Sequence, residues 1–230
     1  MPVPSMLERG TPVPAHVAVG SSARTLARVT RPGVNLAVWL RDAPALAPSS
    51  IVGAVAVDEV IAPRAGLGRS LVPTAVSSTL RAQVGADIDA FAGVLRRLSG
   101  GAGALRVKLN SCDGDECRLF HVDHVAVRLI TTYVGPGTDW LEDGAARRQH
   151  LGGRGLPRRS SIDTINNAIV SDWTRVHRLP RFAVAAFRGS RAVGADAIVH
   201  RSPPIAGTGI VRLRLVVEVQ ADDSADGCAA

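Results

Sequence analysis

The sequence predicts an α+β fold in which an antiparallel jelly roll, or double-stranded β-helix, fills the C-terminal half and helices from the N-terminal half cover it. Three observations lead there. Residues 86–101, ADIDAFAGVLRRLSGG, repeat apolar side chains (Ile88, Phe91, Val94, Leu95, Leu98) at helical spacing and stop at Ser99, Gly100 and Gly101. From residue 104 the period changes to short, β-branched, partly alternating runs separated by Gly- or Pro-bearing loops. No helical repeat separates these runs, so they fit packed antiparallel sheets better than a parallel sheet with crossover helices.

Taken in chain order, residues 1–25 read as a flexible leader, and residues 26–220 as one domain, mainly helical over 26–103 and β over 104–220. GVNLAVWLRDAP is a short apolar run containing Trp39 and stopped by Pro44. APSSIVGAVAVDEV offers a serine cap before an apolar segment that suits either a helix or a strand. The amphipathic helix over 86–101 packs on a sheet. The strands that follow are LRVKL, VAVRLITTYV, FAVAAF, AIVH and IVRLRLVVEVQ. The small, polar tail 221–230, with Cys228, reads as disordered.

Composition narrows the function classes. A chain of 230 residues with 46% hydrophobic and 20% charged residues suits a globular domain, and no run approaches the ~18 apolar residues of a membrane span. The N-terminal prolines and charged pair interrupt any secretory apolar core, which predicts a cytoplasmic protein. The formal charge of +7 invites a nucleic-acid reading, but Lys108 is the one lysine. The basic density at Arg147, Arg148, Arg154, Arg158 and Arg159 lies in a Gly/Pro loop without aromatics to stack bases, so nucleic-acid binding is not expected. Three cysteines make no disulfide framework; Cys112 and Cys117 are two thiols of an incomplete zinc site or a reduced pair.

The chemistry centres on FHVDHVAVRL. In a strand, residues i and i+2 face the same side, so His121 and Asp123 can aim a nitrogen and an oxygen at one point. With six histidines and 20 acidic residues, such a tripeptide arises by chance in about half of comparable chains. Context raises it. His200 closes the strand AIVH and supplies a third ligand, completing the two-histidine, one-carboxylate triad that suits Fe(II). In VRLRLVVEV the alternation sets Arg212, Arg214 and Glu218 opposite Leu213, Leu215 and Val217, and an arginine fork there can clamp a dicarboxylate such as 2-oxoglutarate. The alternative is a solvated rim histidine with a turn-capping aspartate. Tyr133 shares parity with His121 and Asp123 and is expected to assist Arg212 or to line the barrel, whereas His124 is expected on the opposite face as a packed or hydrogen-bonded group. Trp140 covers the pocket mouth or plugs the core, Ser202 caps its turn or orients a ligand, and His177 is expected to be exposed.

The blocks VNLAVWLRDAP, CRLFHVDHVAVRLITTYVGPGTDWL, RRQHLG, AIVHRSPP and RLRLVVEV resemble, in order and spacing over residues 33–220, the bacterial domain-of-unknown-function family 1826. Arg188 and Gly189 stand where that family tends to have a lysine-glycine pair, and Glu218 where aspartate is more usual. The resemblance implies that His121, Asp123, His124, Arg128, Tyr133, His200, Arg201, Ser202, Pro203 and Arg212 are positions of interest, and implies no reaction. Likeness to the Fe(II)/2-oxoglutarate dioxygenases rests on the triad pattern and the β-rich half, and is analogy. The expected function is an Fe(II)- and 2-oxoglutarate-dependent oxygenase with His121, Asp123 and His200 on iron and Arg212, Tyr133 and Arg214 on the co-substrate. The rivals are a zinc-handling or cupin-like non-oxygenase, and a structural or interaction domain without metal.

Overall fold

The structure, a computed structural model, describes residues 13–43, 54–61, 67–101, 103–194 and 196–220. Among the described residues ten strands form two sheets. Strands β1 (Val17–Gly20), β2 (Leu36–Trp39), β3 (Ala56–Ile61), β4 (Leu105–Cys112), β5 (Val127–Val134), β8 (Val184–Arg188) and β10 (Arg212–Val219) make a seven-stranded sheet in the order β1-β2-β8-β5-β10-β4-β3. It is antiparallel apart from the β1–β2 pair. Strands β6 (Asp139–Leu141), β7 (Val176–Arg178) and β9 (Val199–Arg201) make a three-stranded antiparallel sheet in the order β7-β6-β9. His121 bridges His200 at the free edge of β9 and so extends this smaller sheet. From β4 onward the chain passes to the small sheet at His121, to the large at β5, to the small for β6 and β7, and then through β8, β9 and β10 in alternation.

All five runs expected as strands after residue 104 are strands, and the helix is there too. Helix α2 (Ser78–Leu98) begins earlier than the repeat suggests, because the Ser77 hydroxyl caps it by accepting from Leu80 N. Its stripe Leu80, Val84, Ile88, Phe91 and Leu95 is buried against Leu105, Val107 and Leu109 of β4 and Leu213, Leu215 and Val217 of β10. Each fully buried side chain of this size contributes about 1.5–3 kcal/mol. The alternation along β4 and β10 therefore sends apolar side chains to the helix, and Arg106, Lys108, Asn110, Arg212, Arg214 and Glu218 to the other face. A second apolar cluster, including Leu36, Val38, Ile130, Trp140, Phe187, Ile198 and Val216, lies between the sheets. A third, around Phe120, Leu141, Val176 and Val199, lies under α3 (Ile162–Ile169) on the small sheet's outer face.

The first half departs from expectation. Among the described residues it carries strand as well as helix: besides the short helix α1 (Gly68–Leu71), α2 and a 3₁₀ segment at Ala23–Thr30, residues 26–103 supply β2 and β3 to the large sheet. Residues 17–20, placed by the sequence in a flexible leader, form β1, because β2 offers a free edge on which their backbone groups pair. The segment read as helix or strand is strand at β3. Residues 1–12, the serine cap within 44–53 and the tail 221–230 with Cys228 lie outside the described residues. Strands β6 and β7 were not legible, since three residues are too few to show a period.

Tyr133 locks helix to sheet. Fully buried, it donates its hydroxyl to Asp87 Oδ2 at 2.7 Å, and Asp87 also accepts both terminal nitrogens of Arg41 at 2.6 Å and Gln83 at 3.1 Å. Burial and the neighbouring Asp87 carboxylate push the Tyr133 phenol well above its usual range, so it stays a donor. Asp87→Asn keeps the shape and loses the charge and one acceptor. It is expected to lower unfolding free energy by about 2–3 kcal/mol, read as a lower urea midpoint with unchanged slope.

Candidate metal centre

The site begins with a backbone pairing. His121 N donates to His200 O at 2.9 Å and His200 N to His121 O at 3.0 Å, so two residues distant in sequence sit side by side with ring centroids 4.5 Å apart. Asp123 arrives differently from the strand geometry expected of it. Regular strand starts only at Val127, and the 122–126 turn is held by Ser190, whose backbone N–H donates to Asp123 O at 2.8 Å and whose hydroxyl donates to it at 3.1 Å. Gly189 makes this approach possible: a Cβ there would lie 2.1 Å from Val125 O. Among the described residues, His121, Asp123 and His200 form a group whose ligand atoms all lie within 4.8 Å of one another, close enough to share one metal ion.

Their protonation states fit a cation. Each imidazole places Nδ1 against a carbonyl two residues back, His121 on Leu119 O at 2.8 Å and His200 on Ile198 O at 3.2 Å. A carbonyl only accepts, so Nδ1 carries the hydrogen, and in the neutral ring Nε2 is left with its lone pair. Those lone pairs face Asp123: His200 Nε2 is 3.4 Å from Oδ2 and His121 Nε2 3.7 Å from Oδ1. Asp123 Oδ2 is buried and has no hydrogen-bond partner among the described residues. Burial and the adjacent His200 lower the His121 pKa, which keeps that ring neutral near pH 7. Burial opposes ionisation of Asp123 as well, but the neighbouring His200 and Arg128 outweigh it and hold the carboxyl well below the usual range. Acceptors converging on one point around an orphaned carboxylate oxygen are what a divalent cation satisfies, and the ring orientation by carbonyls is the support such ligands need.

Arg128 fixes the carboxylate. Its Nη1 donates to Asp123 Oδ1 at 2.5 Å while Nε and Nη2 hold Glu218 Oε2 at 2.6 Å, so one oxygen of Asp123 is occupied and Oδ2 is left facing the histidines. Lys108 Nζ lies 3.8 Å from Glu218 Oε1. Arg128 was legible only as a position of family resemblance; its reach back to a turn residue depends on tertiary packing.

The residues expected to hold a co-substrate divide. Arg212 faces the space between the sheets, 1% exposed along its side chain. Its Nη2 donates to Thr138 Oγ1 at 2.8 Å and Thr132 Oγ1 at 3.4 Å, Nε to Pro136 O at 3.0 Å, and Nη1 to Ser202 Oγ at 3.3 Å and Glu116 Oε2 at 3.4 Å. Burial and then Arg214 lower its pKa to about 10, which leaves it charged at neutral pH. Arg214 is on the same face, donating to Glu116 Oε1 at 3.1 Å and Asn110 Oδ1 at 3.4 Å. Tyr133 is not there. It points to α2, because parity is lost in the turn after Asp123 and the alternation along β5 then puts Tyr133 with Leu129 on the helix side and Thr132 on the Arg212 side.

The remaining expectations resolve individually. His124 is exposed and bonds Ser190 Oγ at 3.1 Å, outside the cluster. His177 is buried rather than exposed, since it lies in β7 with Nε2 2.7 Å from Glu142 Oε1. Trp140 is a fully buried plug between the sheets. Ser202 is an acceptor for Arg212. Cys112 and Cys117 are free thiols that join no metal cluster among the described residues. Among the described residues no helix is long and apolar enough to cross a membrane.

The two-sheet β fold, its helical cover and a His-Asp-His cluster at one rim define a protein with three side chains able to hold a metal ion. The chain belongs to the family described as "Protein of unknown function (DUF1826)", whose model matches residues 20–218. No curated protein matches the chain. Among solved structures it is similar to a rice dioxygenase for auxin oxidation, at 14% identity and a TM-score of 0.38, over 77% of this chain and 61% of that one. It is also similar to a bsmA homolog from Methylobium petroleophilum PM1, at 14% identity and a TM-score of 0.34, over 64% of this chain and 55% of that one. The chain thus spans less than two thirds of either protein, and at this level of likeness neither carries an argument about fold or activity here.

Proposed function

We propose that the chain is an Fe(II)- and 2-oxoglutarate-dependent oxygenase built on a jelly roll. The strand order supports the jelly roll: β8-β5-β10-β4 on one side, β7-β6-β9 and the His121 segment on the other, with the chain alternating between them. His121, Asp123 and His200 hold the iron. Arg212 holds the distal carboxylate of the co-substrate, with Arg214 assisting. The observation that carries this reading is that the buried Arg212 lies on the face of β10 turned to the smaller sheet, close in the chain fold to the candidate ligand His200 of β9. Arg212 touches Ser202, which follows His200 by two residues, a separation of about 7 Å along an extended chain and about the length of a five-carbon diacid. Bound iron supplies dioxygen activation, and 2-oxoglutarate supplies two electrons by decarboxylation to succinate. The protein's part is to orient both imidazoles through their Nδ1 contacts to backbone carbonyls, to fix Asp123 through Arg128, and to anchor the co-substrate.

One observation favours a second reading, a zinc-handling or cupin-like non-oxygenase on the same three ligands: every nitrogen of Arg212 already has a protein acceptor. Spectroscopy separates the two. Anaerobic addition of Fe(II) and 2-oxoglutarate is expected to give a visible charge-transfer absorption that Zn(II) does not give, and air is expected to bleach it with release of succinate. Tight zinc binding without affinity for 2-oxoglutarate would establish the second reading instead.

A further inference from the structure

Between β4 and His121 the chain carries Asp113, Gly114, Asp115 and Glu116, and Glu116 turns inward. Its carboxylate spans the two arginines of β10. Oε1 accepts from Arg214 Nη2 at 3.1 Å and from the Asn110 amide, and Oε2 lies 3.4 Å from Arg212 Nη1. The contacts on Arg212 are unequal. Nη2 and Nε each have a short bond, to Thr138 at 2.8 Å and Pro136 at 3.0 Å, whereas Nη1 has only Ser202 at 3.3 Å and Glu116 at 3.4 Å. Arg214 Nε is buried with no partner among the described residues. Two guanidinium groups thus face one resident carboxylate, leaving one positive charge uncompensated by that carboxylate and one donor unfilled.

We infer that Glu116 is a resident carboxylate in the co-substrate subsite, and that a ligand carboxylate binds by displacing it from Arg212 Nη1. Glu116 is then a gate that sets affinity. The inference rests on the reading of Arg212 as the co-substrate anchor. The displacement is a side-chain rotation, because the backbone on either side is tied. Asp115 Oδ1 accepts from Ile205 N at 2.6 Å and Ala206 N at 2.8 Å, and Cys117 O accepts from Ser202 N at 2.9 Å. A carboxylate entering beside Glu116 meets like charge in a partly desolvated space, whereas one that replaces it on Nη1 gains a charge-assisted bond and leaves Glu116 paired with Arg214 and Asn110.

The test is calorimetric titration of 2-oxoglutarate into protein loaded with Mn(II), which accepts nitrogen and oxygen ligands, under anaerobic conditions. Glu116→Gln keeps an acceptor for Asn110 and Arg214 but turns an amide NH₂ toward Nη1, which cannot hold it. It is expected to bind 2-oxoglutarate roughly tenfold more tightly than wild type, the scale of one charge-assisted hydrogen bond. Glu116→Asp, one methylene shorter, is the second variant and is expected to shift affinity the same way; Mn(II) binding reports that each variant is folded. Unchanged or weaker affinity in both variants, with wild type binding normally, would make Glu116 a brace for Arg212 and overturn the gate alone. Mn(II)-loaded wild type and both variants all failing to bind 2-oxoglutarate would overturn the co-substrate reading and the gate together.

Discussion

His121→Ala is expected to bind Fe(II) at least about 100-fold more weakly than wild type and to give no visible band with 2-oxoglutarate. Loss of a group that merely orients a ligand costs 10–100-fold in metal affinity, so loss of one of three ligands exceeds that range. The fold should tolerate the change. His121 is partly exposed, and the backbone bridge that joins it to His200 uses main-chain atoms that alanine retains. Anaerobic equilibrium dialysis against Fe(II) and an absorption spectrum check both halves. Metal retention near the wild-type level would remove His121 from the ligand set. The same geometry fixes the pH response. Burial lowers the folded-state pKa of His121 below its unfolded value, so the neutral, binding-competent ring prevails above that lowered value. Iron affinity is therefore expected to hold through neutral pH and to fall as pH drops below the ordinary histidine range, as protons displace the metal.

Arg212→Ala is expected to abolish measurable 2-oxoglutarate binding while leaving Fe(II) affinity within a few-fold of wild type. None of the hydrogen bonds of Arg212 reaches His121, Asp123 or His200. Stability should suffer as well. The substitution removes a buried guanidinium and takes its donors from Thr132, Thr138, Ser202, Pro136 O and the Oε2 atom of Glu116, a loss of about 3 kcal/mol or more. Parallel calorimetry with metal and with co-substrate separates these effects from unfolding. Equal loss of both ligands would point to collapse of the interior, and full retention of 2-oxoglutarate would take Arg212 out of the site.

The sequence by itself determined what is periodic or local. The stripe of α2 and the alternation of β10, which sorts Leu213, Leu215 and Val217 from Arg212, Arg214 and Glu218, were readable because burial on one face imposes a repeat on residue type. His121, Asp123 and His200 were readable as a candidate set because metal ligands come from few residue types. Tertiary structure alone decided the rest. Whether His121 meets His200 depends on one backbone bridge at a sheet edge, and Asp123 reaches them through a turn on Ser190 and Gly189 rather than through strand parity. The same break in parity sent Tyr133 to Asp87 and away from Arg212. β1 exists because β2 left an edge to fill. Arg128 and Glu116 matter only through what long side chains reach across space, and no spacing along a chain encodes the far end of an arginine or a glutamate.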